Sequence, residues 1–174
     1  MSGSARTARP ADATAAGRSI FSNKDEVRMT PDHDTALQIQ RLSPAQWKDA
    51  YPVMAQLRAL DEAEFLRRVR QQSCAGYELV GAYQGGILVG VMGMRPVQTL
   101  ARGAYLHVDD LVVDAAARSS GAGRALMAYA EADALARAMA LVFLDARPEA
   151  IAFYERGGYG LHPAPSMKKV LSAS

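Results

Sequence analysis

The chain has a single cysteine, Cys74, so no intrachain disulfide can form, and its few histidines and lone cysteine have no metal-ligand spacing. No apolar run approaches the roughly 18 to 20 residues needed to span a bilayer, and the N-terminus lacks the apolar stretch of a secretory signal. Neither sign of charge dominates: 20 Lys and Arg stand against 18 Asp and Glu, for a net charge of +2. The basic residues are scattered, which argues against nucleic acid as a partner. These absences predict a soluble, cytoplasmic protein without a metal. With 174 residues, 49% of them hydrophobic, the chain has enough apolar surface for one well-packed domain and too little for two.

Apolar periodicity is also missing at the start. "MSGSARTARPADATAAGRSIFSNKDEVR" is rich in Ala, Ser, Thr, Gly and Arg and has no face to bury. Residues 1–34 are therefore expected to be a flexible extension or leader, and 35–174 the folded domain. A leader, an organellar targeting peptide and a natural tail all fit this composition, and Met29 offers a second start.

From residue 35 the pattern becomes regular. "TALQIQRL" alternates like a half-buried strand, and "SPAQWKDAYPVMAQLRAL" predicts a helix capped by Ser43 with Pro44 at its first position and a kink or break at Pro52. "DEAEFLRRVRQQ" follows as a helix capped by Asp61, with acids in its first turn. Two apolar strands then flank Gly85-Gly86, a dipeptide suited to a tight hairpin. A turn at 101–103 leads to the strand "AYLHVDDLVV". The Ala-rich helix after it repeats Leu126, Ala130 and Ala134 on one face. A short buried strand "LVFLDA", a helix with Pro148 at its start and Gly157 near its end, and a last strand "SMKKVL" complete the order β-α-α-β-β-β-α-β-α-β. This is an α/β (α+β) arrangement, a mixed sheet with a βαβ unit in its second half.

Between the "HVDDLVV" strand and the Ala-rich helix lies "ARSSGAGRAL". Two glycines at a helix start either relieve backbone strain or open a site where free N–H groups and the helix dipole meet an anion. Arg118 and Arg124 flank the loop, and Ser119 and Ser120 offer hydroxyls. The lysine of a P-loop is absent, and residue 126 is Leu where a dinucleotide fingerprint needs Gly. What fits is a diphosphate held by backbone amides without ATP or NAD chemistry.

Three charged or titratable residues interrupt the preceding strand. Simple alternation places His107, Asp109 and Leu111 on one face and Asp110 on the other, so His107 and Asp109 line one cavity as a base and its helper or else lie at a wet edge. Tyr154, beside Phe153, is either core or a proton donor.

These residues resemble the GNAT superfamily of acetyl-CoA-dependent N-acetyltransferases. Its signature Arg/Gln-x-x-Gly-x-Gly/Ala stands here as Arg118-Ser119-Ser120-Gly121-Ala122-Gly123, five residues beyond Val113, and its later Ala-x-x-Phe-Tyr-Glu segment matches Ala150, Phe153, Tyr154 and Glu155, with Gly158 and Tyr159 following. The resemblance covers residues 36–171 and implies a mixed, mostly antiparallel sheet flanked by helices. It implies that amides across Arg118, Ser119, Ser120, Gly121, Ala122, Gly123 and Arg124 hold the pyrophosphate of coenzyme A, and that the main chain of Leu111, Val112 and Val113 pairs with the pantetheine arm. It further implies that Tyr154 protonates the departing thiolate, with Asp109 or His107, directly or through water, as the base. One departure stands out: many members have an Asn that contacts the cofactor just ahead of the Ala-x-x-Phe-Tyr segment, where this chain has Arg147, so that contact is either lost or replaced by a charge contact.

The expected reaction is acetyl transfer from acetyl-CoA to a primary amine of a small molecule or peptide. The alternative is an inactive acyl-CoA sensor of the same fold. Asp109, Asp110 and Asp145 suggest a cationic acceptor. A homodimer is usual for the family, though no feature of this sequence shows it.

Overall fold

The computed structural model describes residues 36–164 and 166–171. The expected extension, 1–34, falls outside them. The elements run β1 (Gln38–Arg41), α1 (Trp47–Met54), α2 (Glu62–Ser73), β2 (Glu78–Gln84), β3 (Ile87–Thr99), β4 (Gly103–Val113), α3 (Ala122–Ala136), β5 (Val142–Leu144) and α4 (Ile151–Glu155). The strands form one sheet in chain order, antiparallel except for the parallel pair β4–β5.

The sheet is coated on both faces, which explains the near-continuous apolar runs of β2 and β3. On one face Met92, Met94 and Leu106 pack with Leu126, Ala130 and Ala134, the predicted stripe of α3, all at most 2% exposed. On the other, Leu79 and Val91 pack with Val53 and Met54 of α1 and Phe65 and Val69 of α2. Among the described residues no helix is long and apolar enough to cross a membrane.

Local signals decide most boundaries. Asp61 caps α2 by accepting from the Glu64 amide at 2.8 Å. Gly85 and Gly86, at φ of 56° and 75°, make the β2–β3 turn. Pro52 lies inside α1, which stops two residues later. The start of α1 differs from expectation. Ser43 and Pro44 belong to a turn in which the Ser43 amide and hydroxyl both donate to Gln46 Oε1, at 2.9 and 2.8 Å, so the helix begins only at Trp47. At the end of α4 the left-handed residue is Gly158 (φ 86°), which lets the Tyr159 amide reach back to Tyr154 O at 3.1 Å.

The last expected strand is absent: residues 166–171 pair with nothing, and Met167, Val170 and Leu171 are 95%, 86% and 79% exposed. Lys168-Lys169 breaks the alternation of this segment, so no single apolar face exists to dock it. β5 is accordingly an edge strand of three half-buried residues and not a fully buried one.

Candidate active site

One inserted residue organises the site. Met94 pairs with Val108 and Gly93 with Asp110, leaving Asp109 as the extra residue of a β-bulge in β4. The bulge inverts the side-chain phase. Leu106 and Val108 pack against the α3 side before it, and Leu111 does so after it, while Val112 faces α1 and α2. Simple alternation therefore fails beyond Val108. Leu111 does not share a face with His107, and His107, Asp109 and Asp110 all line one cavity of about 520 Å³ between β4, the α1–α2 segment and the start of α4.

The acids are not merely solvated at an edge. Asp109 accepts from Arg95 Nε at 2.8 Å, from Arg95 Nη2 at 3.3 Å and lies 3.0 Å from His107 Nδ1. Asp110 accepts from the Tyr77 hydroxyl and from Arg58 Nε, both at 2.7 Å. Burial acts to raise the Asp109 carboxyl, but the hydrogen bonds from His107 and Arg95 and the charge of Arg95 outweigh it and leave Asp109 below the usual carboxylate range. An ionised carboxylate only accepts, which assigns the shared proton to His107 Nδ1. Asp109 is thus already committed to Arg95 and His107, and Nε2 is the ring nitrogen of His107 without a hydrogen-bond partner among the described residues.

The depressed pKa of Asp109 sets a pH dependence. Its folded value lies below the roughly 3.9 of an unfolded Asp, so its contribution to stability is complete above that pH and is lost as pH falls through the folded value. Circular dichroism melts of the wild type and Asp109→Asn should run parallel from about pH 5 to 8 and converge below about pH 4. Equal acid sensitivity of the two proteins would show that Asp109 contributes nothing.

Tyr154 is half-buried on α4, edge-on to Phe153 at 5.0 Å. Burial raises its pKa, which keeps the phenol protonated at neutral pH. No described residue bonds its hydroxyl, and Tyr154 and His107 both line the first cavity and a second of about 960 Å³ beneath β5 and α4. They therefore stand where the two cavities meet.

The open edge of β4 lies nearby. β4 and β5 pair only from Leu106–Val142 to Val108–Leu144, so among the described residues no strand covers this edge of β4 from Asp109 to Val113. The chain then passes Asp114, whose carboxylate caps a 3₁₀ turn by accepting from the Ala116 amide at 2.8 Å, and enters the glycine loop. Gln56 fastens this turn to the end of α1, donating to Asp114 Oδ2 at 3.1 Å and accepting from the Ala115 amide at 3.0 Å.

Ser119 (φ 68°) and Gly121 (φ 89°) both take the left-handed conformation, and Gly121 is the N-cap of α3 without a side-chain cap. Ala125 makes the first i to i−4 bond, to Gly121 O at 3.0 Å, so the amides of Gly121 to Arg124 precede the helical ladder, with Ala122's taken by Ser120 Oγ at 3.3 Å. A Cβ on Gly121 would meet only Leu37, at 3.9 Å, which leaves open space over the loop. A Cβ on Gly123 would lie 3.3 Å from Phe153 and 3.5 Å from Val113, so this glycine serves the packing of α3 against α4 and β4. Exposed Arg118 and Arg124 flank the loop. Amides at a helix start, a glycine with open space, flanking guanidinium groups and an uncovered strand edge leading into a cavity fit a long anionic thioester.

Residues 39–159 match the acetyltransferase (GNAT) family, and the chain belongs to it. It is an acyltransferase of the N-acetyltransferase type. It is 31% identical over 122 residues to an uncharacterised N-acetyltransferase of Bacillus subtilis, YhdJ, across 66% of this chain and 84% of that one. Among solved structures it superposes on glucosamine-6-phosphate N-acetyltransferase from Arabidopsis thaliana with a TM-score of 0.66 at 20% identity, covering 79% of this chain and 99% of that one. A predicted acetyltransferase from Clostridium acetobutylicum, solved with acetyl-CoA, aligns with a TM-score of 0.65 at 11% identity over 77% and 96% of the chains. At these identities the superpositions show the shared fold.

Sequence reasoning missed Arg95, Arg58, Tyr77, Gly93 and Gln56. Arg95 had a visible signal, a cation inside the apolar run "GVMGMRPV". The structure also narrows the charge reading: Arg95 and Arg58 neutralise Asp109 and Asp110, which leaves Asp145 as the cavity's acid without an ionic partner among the described residues.

Proposed function

We propose that the protein moves an acetyl group from acetyl-CoA to a primary amine by direct attack. The observation that carries this reading is the His107–Asp109 pair at 3.0 Å in a cavity that Tyr154 also lines, beside the uncovered edge of β4. Acetyl-CoA, when bound, supplies the acetyl group as a thioester. Amides from Arg118 to Arg124 hold its diphosphate, and the backbone of Leu111, Val112 and Val113 holds its pantetheine arm. His107 Nε2 takes a proton from the acceptor ammonium, Asp109 fixes the ring and offsets the charge it gains, and Tyr154 gives its proton to the departing sulfur and is restored by the second proton that the attacking nitrogen sheds as the amide forms. A backbone amide at the end of the bulged strand polarises the carbonyl.

Thiol release from acetyl-CoA over a panel of amines tests the reaction, and a thermal shift with acetyl-CoA tests binding separately. At 100 times its dissociation constant a ligand stabilises by about 2.7 kcal/mol. Stabilisation together with turnover is expected. Stabilisation with silence over a broad panel would replace this reading with an acyl-CoA-binding sensor of the same fold.

A further inference from the structure

The charges around the first cavity cancel in pairs except at one place. Arg58 is bound to Asp110 at 2.7 Å and Arg68 to Glu64 at 2.6 Å, while Asp109 is held by Arg95. Arg147 and Asp145 remain. Neither has an ionic partner among the described residues, and both line the cavity that holds His107. They stand two residues apart after β5, where Arg147 has an extended backbone at φ −69° and ψ 149°.

Arg147 is exposed and tethered at one point. Its Nη2 donates to the carbonyl of Leu57 at 3.3 Å, which lies in the connection between α1 and α2 on a different wall of the cavity. That bond uses one of five guanidinium donors and orients the rest. A fork of N–H groups held across a cavity, with no carboxylate among the described residues to satisfy it, is complementary to a planar anion. Asp145 beside it gives the same wall a negative pole for an ammonium.

We infer that the acceptor is an amine that also carries a carboxylate, an amino acid, and that Arg147 binds the carboxylate. This inference rests on the acetyl-transfer reading for the reaction, though the binding it describes does not need turnover. Arg147 is an acceptor-binding residue here and takes no part in proton transfer.

The test compares amino acids with their own amides as acceptors, in wild type, Arg147→Gln and Arg147→Lys, with acetyl-CoA and acceptor varied separately. In wild type the free acids should have kcat/KM at least about tenfold above their amides, the size expected for one charge-assisted pair. Arg147→Gln should erase that preference by raising the acceptor KM, with kcat and the acetyl-CoA KM nearly unchanged, and Arg147→Lys should restore part of it. Equal use of acids and amides by wild type would overturn the inference. So would a loss in Arg147→Gln that falls on the acetyl-CoA KM, because Arg147 would then serve the donor. If no amine is acetylated, the acetyl-transfer reading fails, and ligand-observed NMR with the same acids and amides decides the binding. Acid-selective binding lost in Arg147→Gln upholds it, and no acid-selective binding overturns it.

Discussion

Replacing His107 with Gln, or Tyr154 with Phe, is expected to lower kcat by about 10² to 10⁴-fold, the usual worth of one positioned acid or base, while acetyl-CoA still stabilises the fold. The Tyr154 loss should carry a pH signature. On the proposed mechanism Tyr154 acts as the protonated phenol, and burial raises its pKa above the ordinary tyrosine value of about 10. The alkaline limb of the wild type should therefore lie beyond the neutral range, and Tyr154→Phe should lack it. Rates in both variants within about threefold of wild type, against this expected range, would remove both residues from the mechanism. Asp109→Asn is a separate case: an amide at that position can accept from Nδ1–H only by presenting its oxygen, and it cannot offset the imidazolium charge.

The fold was legible wherever a local rule coincided with a tertiary one. The α3 stripe of Leu126, Ala130 and Ala134 is apolar because it faces the sheet, and its helix propensity agrees, so pattern and packing point the same way. Asp61 and Gly85-Gly86 are similar, since a cap and a tight turn are decided within four residues. Ser43-Pro44 looked like a helix start by the same kind of rule, yet Gln46 Oε1 captured the Ser43 donors and delayed the helix. "SMKKVL" had β propensity without a one-sided apolar face, and propensity alone did not bring it to the sheet.

At the site, the residue types were legible and their partners were not. "HVDD" announced itself because charge in a buried strand must be compensated. Which side chains compensate it depends on β3 lying beside β4 and on the α1–α2 segment folding over both, contacts of 14 to 52 residues' separation in the chain. The bulge was invisible for a related reason. It is a property of the register between two strands, and a single strand's alternation carries no record of the residue its partner skips. The GNAT signature worked because the glycine loop's conformation is local, with positive φ at Ser119 and Gly121.

Gly93 is where the register and the site meet, and Gly93→Ala is expected to be among the most damaging single-methyl changes in the chain. Gly93 lies opposite Asp110 at the bulge, and a Cβ there would overlap the Tyr77 hydroxyl and come within 2.7 Å of its Cε2. Tyr77 is 5% exposed among the side chains of α1 and α2 and borders the first cavity, so an added methyl must push its ring toward that cavity and away from its packed position. Overpacking of this kind costs about 1 to 3 kcal/mol. Moving the ring also withdraws the 2.7 Å donor from Asp110, a half-buried carboxylate that keeps Arg58, and the lost hydrogen bond costs about 1 kcal/mol more. Denaturant unfolding should show a loss of about 2 to 4 kcal/mol as the sum of these two effects. Gly160→Ala, at a glycine with nothing within 4 Å of its would-be Cβ, should be close to neutral. The decisive comparison is a double-mutant cycle. In a Tyr77→Ala background the ring is gone, so adding Gly93→Ala should cost little more, whereas additive losses would show that Gly93 is required for some reason other than making room for Tyr77. The same variants should lower turnover, because Asp110 and Asp109 are neighbours on the bulge, and loosening one carboxylate's anchorage loosens the backbone that aims the other at His107.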